Sequence, residues 1–242
     1  MRRHTFNHQS PAMTILLLET ATQICSVALE RDGQIIDELH SEEPNAHSSK
    51  LSVFIGEIMR RNSDIASAVD AVCVSSGPGS YTGLRIGVSS AKGICYAKGI
   101  PLLAVPTLHN MAMLFFGAHP DYNGLVCPMI DARRMECYTA IFDRQGQRRS
   151  TMAEVITPES FDAWLGDSPV TFIGDGAAKT KALLAGKPHV HYDDTFAISA
   201  AGMAAEAERK LRSAEIEDTA YFEPFYLKDF VAKKSVVHGL RK

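Results

Sequence analysis

Ser76–Gly87 reads Ser-Gly-Pro-Gly-Ser-Tyr-Thr-Gly-Leu-Arg-Ile-Gly, a tight turn followed by the start of a helix crowded with small residues. The apolar run Ala71–Val74 before it predicts a buried strand. Glycine admits backbone angles that other residues avoid, and proline fixes its own, so strand and helix are joined abruptly. Gly83 and Gly87 lie four residues apart on one helix face, where another backbone can approach closely. A nucleotide-binding P-loop ends in Gly-Lys-Ser/Thr, which this stretch lacks.

Composition is that of an ordinary globular protein: 242 residues, 45% hydrophobic and 22% charged. A formal net charge of −3 gives no general attraction to nucleic acid or anionic membranes. The five cysteines form no Cys-x-x-Cys pair, which favours buried, reduced thiols over disulfides or a zinc site. No apolar run approaches the roughly 20 residues that cross a bilayer. Residues 1–12 lack the apolar core of a signal peptide, so we expect a disordered extension and a cytoplasmic protein.

The predicted elements alternate in two runs of similar order. In the first run, Asp32-Gly33 forms a hairpin turn between the second and third of three strands, and Ser48–Arg61 has the apolar spacing of a helix. The rest of the first run is a strand at 71–75, a helix at 81–98, a strand at 102–105 and a helix near 107–117. The second run is expected to contain strands at 151–156 and 170–174, with helices at 158–165, 177–185 and 197–214.

Residue pairs in the two runs match at a constant offset of 112 positions. The matched pairs are Leu18-Glu19 with Ile130-Asp131, Cys25-Ser26 with Cys137-Tyr138, and Ala28-Leu29 with Ala140-Ile141. A unit used twice predicts an α/β protein with two lobes that face a cleft. We place the lobes at residues 13–118 and 119–230, followed by a basic tail at 231–242.

The duplicated unit resembles the actin/sugar-kinase/Hsp70 superfamily, whose fold is a duplicated ribonuclease-H-like domain. Within that superfamily, Leu16–Thr22, Ser76–Gly87, Ile130–Tyr138 and Glu223–Leu227 together resemble the TsaB (YeaZ) family of bacterial proteins. The resemblance spans residues 13 to about 230.

The resemblance implies a subunit without its own catalytic residues or cofactor. Such proteins pair with TsaD, a larger paralogue that transfers a threonylcarbamoyl group to N6 of adenosine 37 in tRNA, and with the small ATPase TsaE. The implied contact with tRNA is through the complex, and no membrane contact is implied. A homodimer is the competing assembly when TsaD is missing.

The residues themselves offer no recognisable catalytic or metal-binding set. TsaD-like chains bind metal with two histidines four apart on a helix, whereas His109 here is followed four residues later by Met113. The acid pair that follows the first strand in TsaD-like chains is replaced by Gln23 and Ile24. Glu19 and Asp131 are left either as magnesium ligands or as partners of turn amides. An ATPase or small-molecule kinase that acts in the inter-lobe cleft is therefore the alternative function.

Two turns are candidates for binding an anion or a nucleotide. Gly79, Ser80 and Thr82 begin a helix, where backbone amides can hold an anion, although Ser80 can equally cap the helix itself. Asp175 and Gly176 lie at a strand-to-helix turn, where the superfamily places adenosine.

The helix at 81–98 is apolar on two sides, so it needs two packing partners. Packing within its own lobe accounts for one side, and we assign the other to TsaD, because the resemblance implies a four-helix interface. The expected interface residues are Leu51, Phe54, Ile58, Gly83, Leu84, Gly87, Val88, Ala91 and Cys95. On this hypothesis Gly87→Leu leaves the monomer folded and abolishes TsaD binding.

Overall fold

A computed structural model describes residues 12–43, 46–166 and 168–228. The predicted extension, apart from Ala12, and the predicted basic tail lie outside the described residues. Within the described ranges, no helix combines the length and the apolar character needed to span a membrane.

The first sheet has five strands in the order β3-β2-β1-β4-β5. β1 pairs antiparallel with β2 and parallel with β4, while β3 and β5 form the edges. Asp32 and Gly33 both take positive φ, 51° and 78°, which confirms the predicted hairpin turn. The strands are β1 (Thr14–Glu19), β2 (Cys25–Arg31), β3 (Gln34–Ser41), β4 (Ala71–Ser75) and β5 (Leu102–Val105).

The second sheet repeats this topology, in the order β10-β9-β6-β7-β8. β6 pairs antiparallel with β7 and parallel with β9, as β1 does with its neighbours. Its strands are β6 (Leu125–Asp131), β7 (Glu136–Asp143), β8 (Gly146–Val155), β9 (Val170–Ile173) and β10 (Val190–Asp193). The predicted duplicated α/β fold is therefore confirmed.

Five α-helices occur in the described part of the chain: α1 (Ala46–Arg61), α2 (Ser63–Ala66), α3 (Tyr81–Lys98), α4 (Thr107–Ala118) and α5 (Ala204–Arg212). Two 3-10 turns, Ala177–Thr180 and Ala200–Met203, accompany them. α1 and α3 cover one face of the first sheet and share its first core cluster.

The helices α4 and α5 are exchanged between the two sheets. α4 packs on the second sheet, where Met111 and Phe115 join Val126 and Phe142. α5 packs on the first sheet, where Ala204 and Ala207 join strands β1 and β5. Each half of the chain thus contributes a helix to the other half's core, and the division at residue 118 stays a prediction.

Three predicted elements of the second half differ from the structure. Segment 158–165 forms hydrogen-bonded turns instead of a helix, although Phe161 still enters the core, and 177–185 forms only the 3-10 turn and further turns. The strand expected at 151–156 begins earlier, at Gly146, because it follows directly from the hairpin turn. β10 was not predicted.

Candidate functional site

Three glycines bring α3 and the turn before it against the end of β1. A Cβ atom added at Gly79, Gly83 or Gly87 would lie only 2.1–2.3 Å from an atom of Ala21 or Thr20. Real Cβ atoms essentially never come closer than 3.0 Å to such an atom. At Gly79 and Gly83 the obstructing atom is a backbone carbonyl oxygen. These glycines are therefore required by packing within the chain.

The predicted interface side chains lie mostly inside the protein. Gly83 and Gly87 are buried, and Phe54 packs partly buried against the first core. Leu84 is also buried, and the remaining predicted residues are buried in the first core between α1, α3 and the first sheet: Leu51, Ile58, Val88, Ala91 and Cys95. These side chains are enclosed by their own lobe and offer no surface in the folded monomer, so their contact with a partner stays a prediction.

The chain's own C-terminal segment covers part of the second apolar side of α3. We call residues 218–228 the strap. Lys92 Nζ donates hydrogen bonds to the carbonyls of Ala220 and Phe222, both at 3.0 Å, and Phe222 packs on the first core. Further along, the Phe225 amide donates to the Ser76 carbonyl at 2.7 Å. The strap has no regular secondary structure, and sequence periodicity did not reveal it.

A second surface of α1 and α3 faces away from the sheet. Val53 is 55% exposed and Tyr96 is 87% exposed. Gly56 and Gly93 have no neighbouring atom within 4 Å of an added Cβ. We call this surface the outer helical face; it consists of Ser52, Val53, Gly56, Ser89, Gly93 and Tyr96. Its small residues leave room for other helices to approach closely.

A cleft of about 1190 Å³ lies between the two lobes and the strap. Gly79, Ser80 and Thr82 line it from the first lobe, and Asp175 lines it from the second. Gly176 lies beneath this surface, where its amide donates to the Met129 carbonyl at 3.1 Å. The structure therefore brings four of the five candidate anion-binding residues together, and anion binding itself stays a prediction.

Internal partners already occupy the polar groups of the cleft. Ser80 Oγ accepts a hydrogen bond from the Gly83 amide at 3.2 Å and so caps α3. Asp131 accepts hydrogen bonds from Lys179 Nζ and the Arg133 amide. Burial raises the pKa of Asp131, but the bonds from Lys179 and the Arg133 amide outweigh burial and hold it below its usual value. Asp131 is thus a partner of a lysine and a turn amide.

Glu19, the last residue of β1, has a fully buried side chain. It accepts hydrogen bonds from the Ala21 amide at 2.7 Å, Ser75 Oγ at 2.9 Å and Asn110 Nδ2 at 2.6 Å. Burial raises the pKa of Glu19 from 4.5 to about 7, and these hydrogen bonds oppose the shift. Glu19 links strands β1 and β4 to α4 through these hydrogen bonds. A structural role therefore fits Glu19 better than the role of a magnesium ligand.

The raised pKa of Glu19 makes stability depend on pH. Between pH 4.5 and about 7 the native state binds more protons than the unfolded state, so stability falls as pH rises through this window. The loss amounts to about 3 kcal/mol and is complete above the folded pKa. We expect Glu19→Gln to flatten this part of the profile, as measured by urea unfolding at a series of pH values.

Glu30 provides the control for this measurement, because burial also raises its pKa to about 7. Glu30→Gln should remove a separate part of the same slope, and the double substitution should remove both parts. A Glu19→Gln protein with the slope of the wild type would show that Glu19 ionises normally in the folded state.

His109 and the cysteines lie in packed surroundings that suit a structural role. The His109 ring meets the edge of Phe142 at 5.9 Å between centroids, and burial lowers the pKa of its imidazole. All five cysteines are buried and unpaired. In the described ranges, no group of three or more histidine, cysteine and acidic side chains is placed to hold a metal ion.

Comparisons with known proteins agree in sequence and in structure. The family model described as TsaD: tRNA N6-adenosine threonylcarbamoyltransferase matches residues 38–239. The tRNA threonylcarbamoyladenosine biosynthesis protein TsaB of Bacillus subtilis is 30% identical over 180 residues, which cover 71% of this chain and 75% of that protein. The TsaB protein of Escherichia coli is 36% identical over 135 residues, about half of each chain (54% and 56%). YeaZ from Pseudomonas aeruginosa has a TM-score of 0.74 and 26% identity, covering 89% of this chain and 100% of that one.

Proposed function

Since the chain belongs to the TsaB family, we propose that it acts in the biosynthesis of threonylcarbamoyladenosine in tRNA, as a subunit that binds a catalytic partner. Its relatives carry this pathway in their names, and the matching family model describes the transferase TsaD. The partner we propose is a TsaD-like paralogue, with a TsaE-like ATPase joining the complex in the cytoplasm.

The observation that carries the subunit role is the outer helical face. Val53 and Tyr96 are large side chains exposed there beside two glycines with open space around them. Large exposed side chains set among small residues are suited to helix-to-helix docking, where a partner's side chains fill the space above glycine. A second copy of this chain is the competing occupant of the same face.

An ATPase or small-molecule kinase in the cleft has less support. The cleft is large enough for a nucleotide, at about 1190 Å³. However, Asp131 is paired with Lys179 and Glu19 is enclosed by hydrogen bonds, so neither acid is presented to a magnesium ion. The cleft residues therefore fit a role other than phosphoryl transfer better than they fit a kinase or ATPase site.

Depleting this protein in its host is expected to lower threonylcarbamoyladenosine in bulk tRNA several-fold, because the proposed catalytic partner would lack its subunit. Mass spectrometry of digested tRNA measures the nucleoside, and an unrelated modified nucleoside in the same digest controls for tRNA quality. Re-expression of the wild-type chain should restore the level. An unchanged level after depletion would contradict the proposed function.

A further inference from the structure

The mouth of the cleft carries an aromatic pair with an arginine beside it. The rings of Tyr81 and Tyr226 lie 4.9 Å apart between centroids, and Tyr226, on the strap, is 37% exposed. The Arg85 guanidinium lies 5.3 Å from the centre of the Tyr81 ring and donates a hydrogen bond to its hydroxyl at 2.6 Å. Both tyrosines line the cleft.

A second arginine, Arg133, lines the cleft itself from the opposite lobe. Arg133 lies in the turn between β6 and β7 and has a φ of 74°, a left-handed conformation unusual for a residue other than glycine. The hydrogen bond from its amide to Asp131, at 2.5 Å, holds the turn.

The acids beside the two arginines are already paired with lysines. Asp131 is paired with Lys179, and Glu136 is paired with Lys228 of the strap. Within the described part of the chain, neither Arg85 nor Arg133 forms an ion pair with an acidic side chain. The cleft mouth therefore presents the Arg133 guanidinium and an aromatic pair, with Arg85 packed beside Tyr81, although the whole chain has a net charge of −3.

This combination matches the chemistry of an unpaired nucleotide. Tyrosine rings stack on bases of any sequence, and arginines bind phosphate and stack on bases as well. Bases in a duplex are already stacked, so such a surface selects single-stranded RNA. We propose that the cleft mouth formed by Tyr81, Arg133 and Tyr226 binds a nucleotide of single-stranded RNA, with its base on the tyrosines and its phosphate on Arg133, while Arg85 packs against Tyr81. That this RNA is a tRNA anticodon loop rests on the proposed function.

Fluorescence anisotropy with the full chain and a fluorescein-labelled anticodon-loop RNA tests the proposal. The wild type should bind the single strand more tightly than the same RNA annealed into a duplex. Tyr226→Ala should weaken binding about tenfold through loss of stacking, whereas Tyr226→Phe should bind like the wild type. Arg133→Gln should weaken binding and lower the slope of log affinity against log salt by about 0.7, the value for one phosphate contact in single strands.

Matched controls use the same substitutions away from the cleft. Tyr221→Ala changes another strap tyrosine, which is 84% exposed, and Arg148→Gln removes a charge from edge strand β8. Both should bind like the wild type. Equal binding by Tyr226→Ala, Arg133→Gln and the wild type would overturn the proposal, as would absence of RNA binding. A wild type that binds AMP but not RNA would overturn it in favour of a free nucleotide.

The proposed function can fail independently of this inference. If depletion lowers threonylcarbamoyladenosine but the cleft variants bind RNA normally, the function stands and the inference fails. If the cleft variants lose RNA binding but depletion leaves the modification unchanged, RNA binding stands and the role in tRNA modification fails.

Discussion

Replacing Gly83 with alanine is expected to lower the free energy of unfolding by about 3 kcal/mol or more, the upper range for overpacking a tightly packed interior. The added Cβ would collide with the carbonyl oxygen of Thr20, a backbone atom that no rotamer change can move aside. Relief requires α3 to shift away from the end of β1, which would disturb the contacts of Val88 and Ala91 in the first core. Urea unfolding followed by circular dichroism measures the change.

Gly93→Ala is the matched control in the same helix. Gly93 is exposed, and an added Cβ would meet no atom within 4 Å. Alanine should therefore stabilise the protein by up to about 1 kcal/mol, because glycine is the poorer helix former. If Gly83→Ala and Gly93→Ala changed stability by the same amount, the close approach of α3 to β1 would not exist in solution.

The same geometry changes how a substitution at Gly87 must be interpreted. A side chain there would meet Thr20 Oγ1, so Gly87→Leu is expected to destabilise the monomer. Loss of partner binding in that variant would report a damaged fold and would say nothing about an interface. The sequence-based expectation of a folded, binding-deficient Gly87→Leu protein is therefore withdrawn.

The fold was predictable because its signals are local. The Asp32-Gly33 turn sets a hairpin, and the matched order of apolar strands around Glu19 and Asp131 indicates duplication. The exchange of α4 and α5 was not predictable, because an apolar helix face does not specify which of two similar sheets it covers. β10 escaped prediction because it has only four residues, too few for the alternation of Val-His-Tyr-Asp to stand out from its surroundings.

The candidate interface was only partly predictable, since an apolar stripe does not distinguish burial within a chain from burial against a partner. The sequence did contain one unused signal. At 100° per residue, Gly93 lies on the opposite side of α3 from the buried Leu84. A helix-destabilising glycine on this outward side is not explained by packing in the core and so points to a close contact outside it. The strap gave no signal of this kind, because an irregular segment has no period.

Gly93→Leu is expected to weaken binding to the proposed TsaD-like partner by about 10- to 100-fold while leaving the monomer folded. Gly93 is exposed in the outer helical face and an added Cβ there meets no atom within 4 Å, so we expect leucine to extend into solvent in the free monomer. In a complex, the larger side chain would occupy the space that the partner's helices need, and such overpacking costs about 1–3 kcal/mol. Isothermal titration calorimetry with the TsaD-like protein of the same host measures the affinity.

Thermal unfolding separates this effect from damage to the fold. Gly93→Leu should melt at or above the wild-type temperature, because leucine favours helix over glycine. Gly93→Ala, with its much smaller side chain, should keep most of the affinity, so the loss should grow with side-chain volume. In depleted cells, Gly93→Leu should restore less threonylcarbamoyladenosine than Gly93→Ala. A stable Gly93→Leu protein with wild-type affinity would place the partner on another surface, because a leucine in the middle of a close helix-to-helix contact cannot be accommodated without loss.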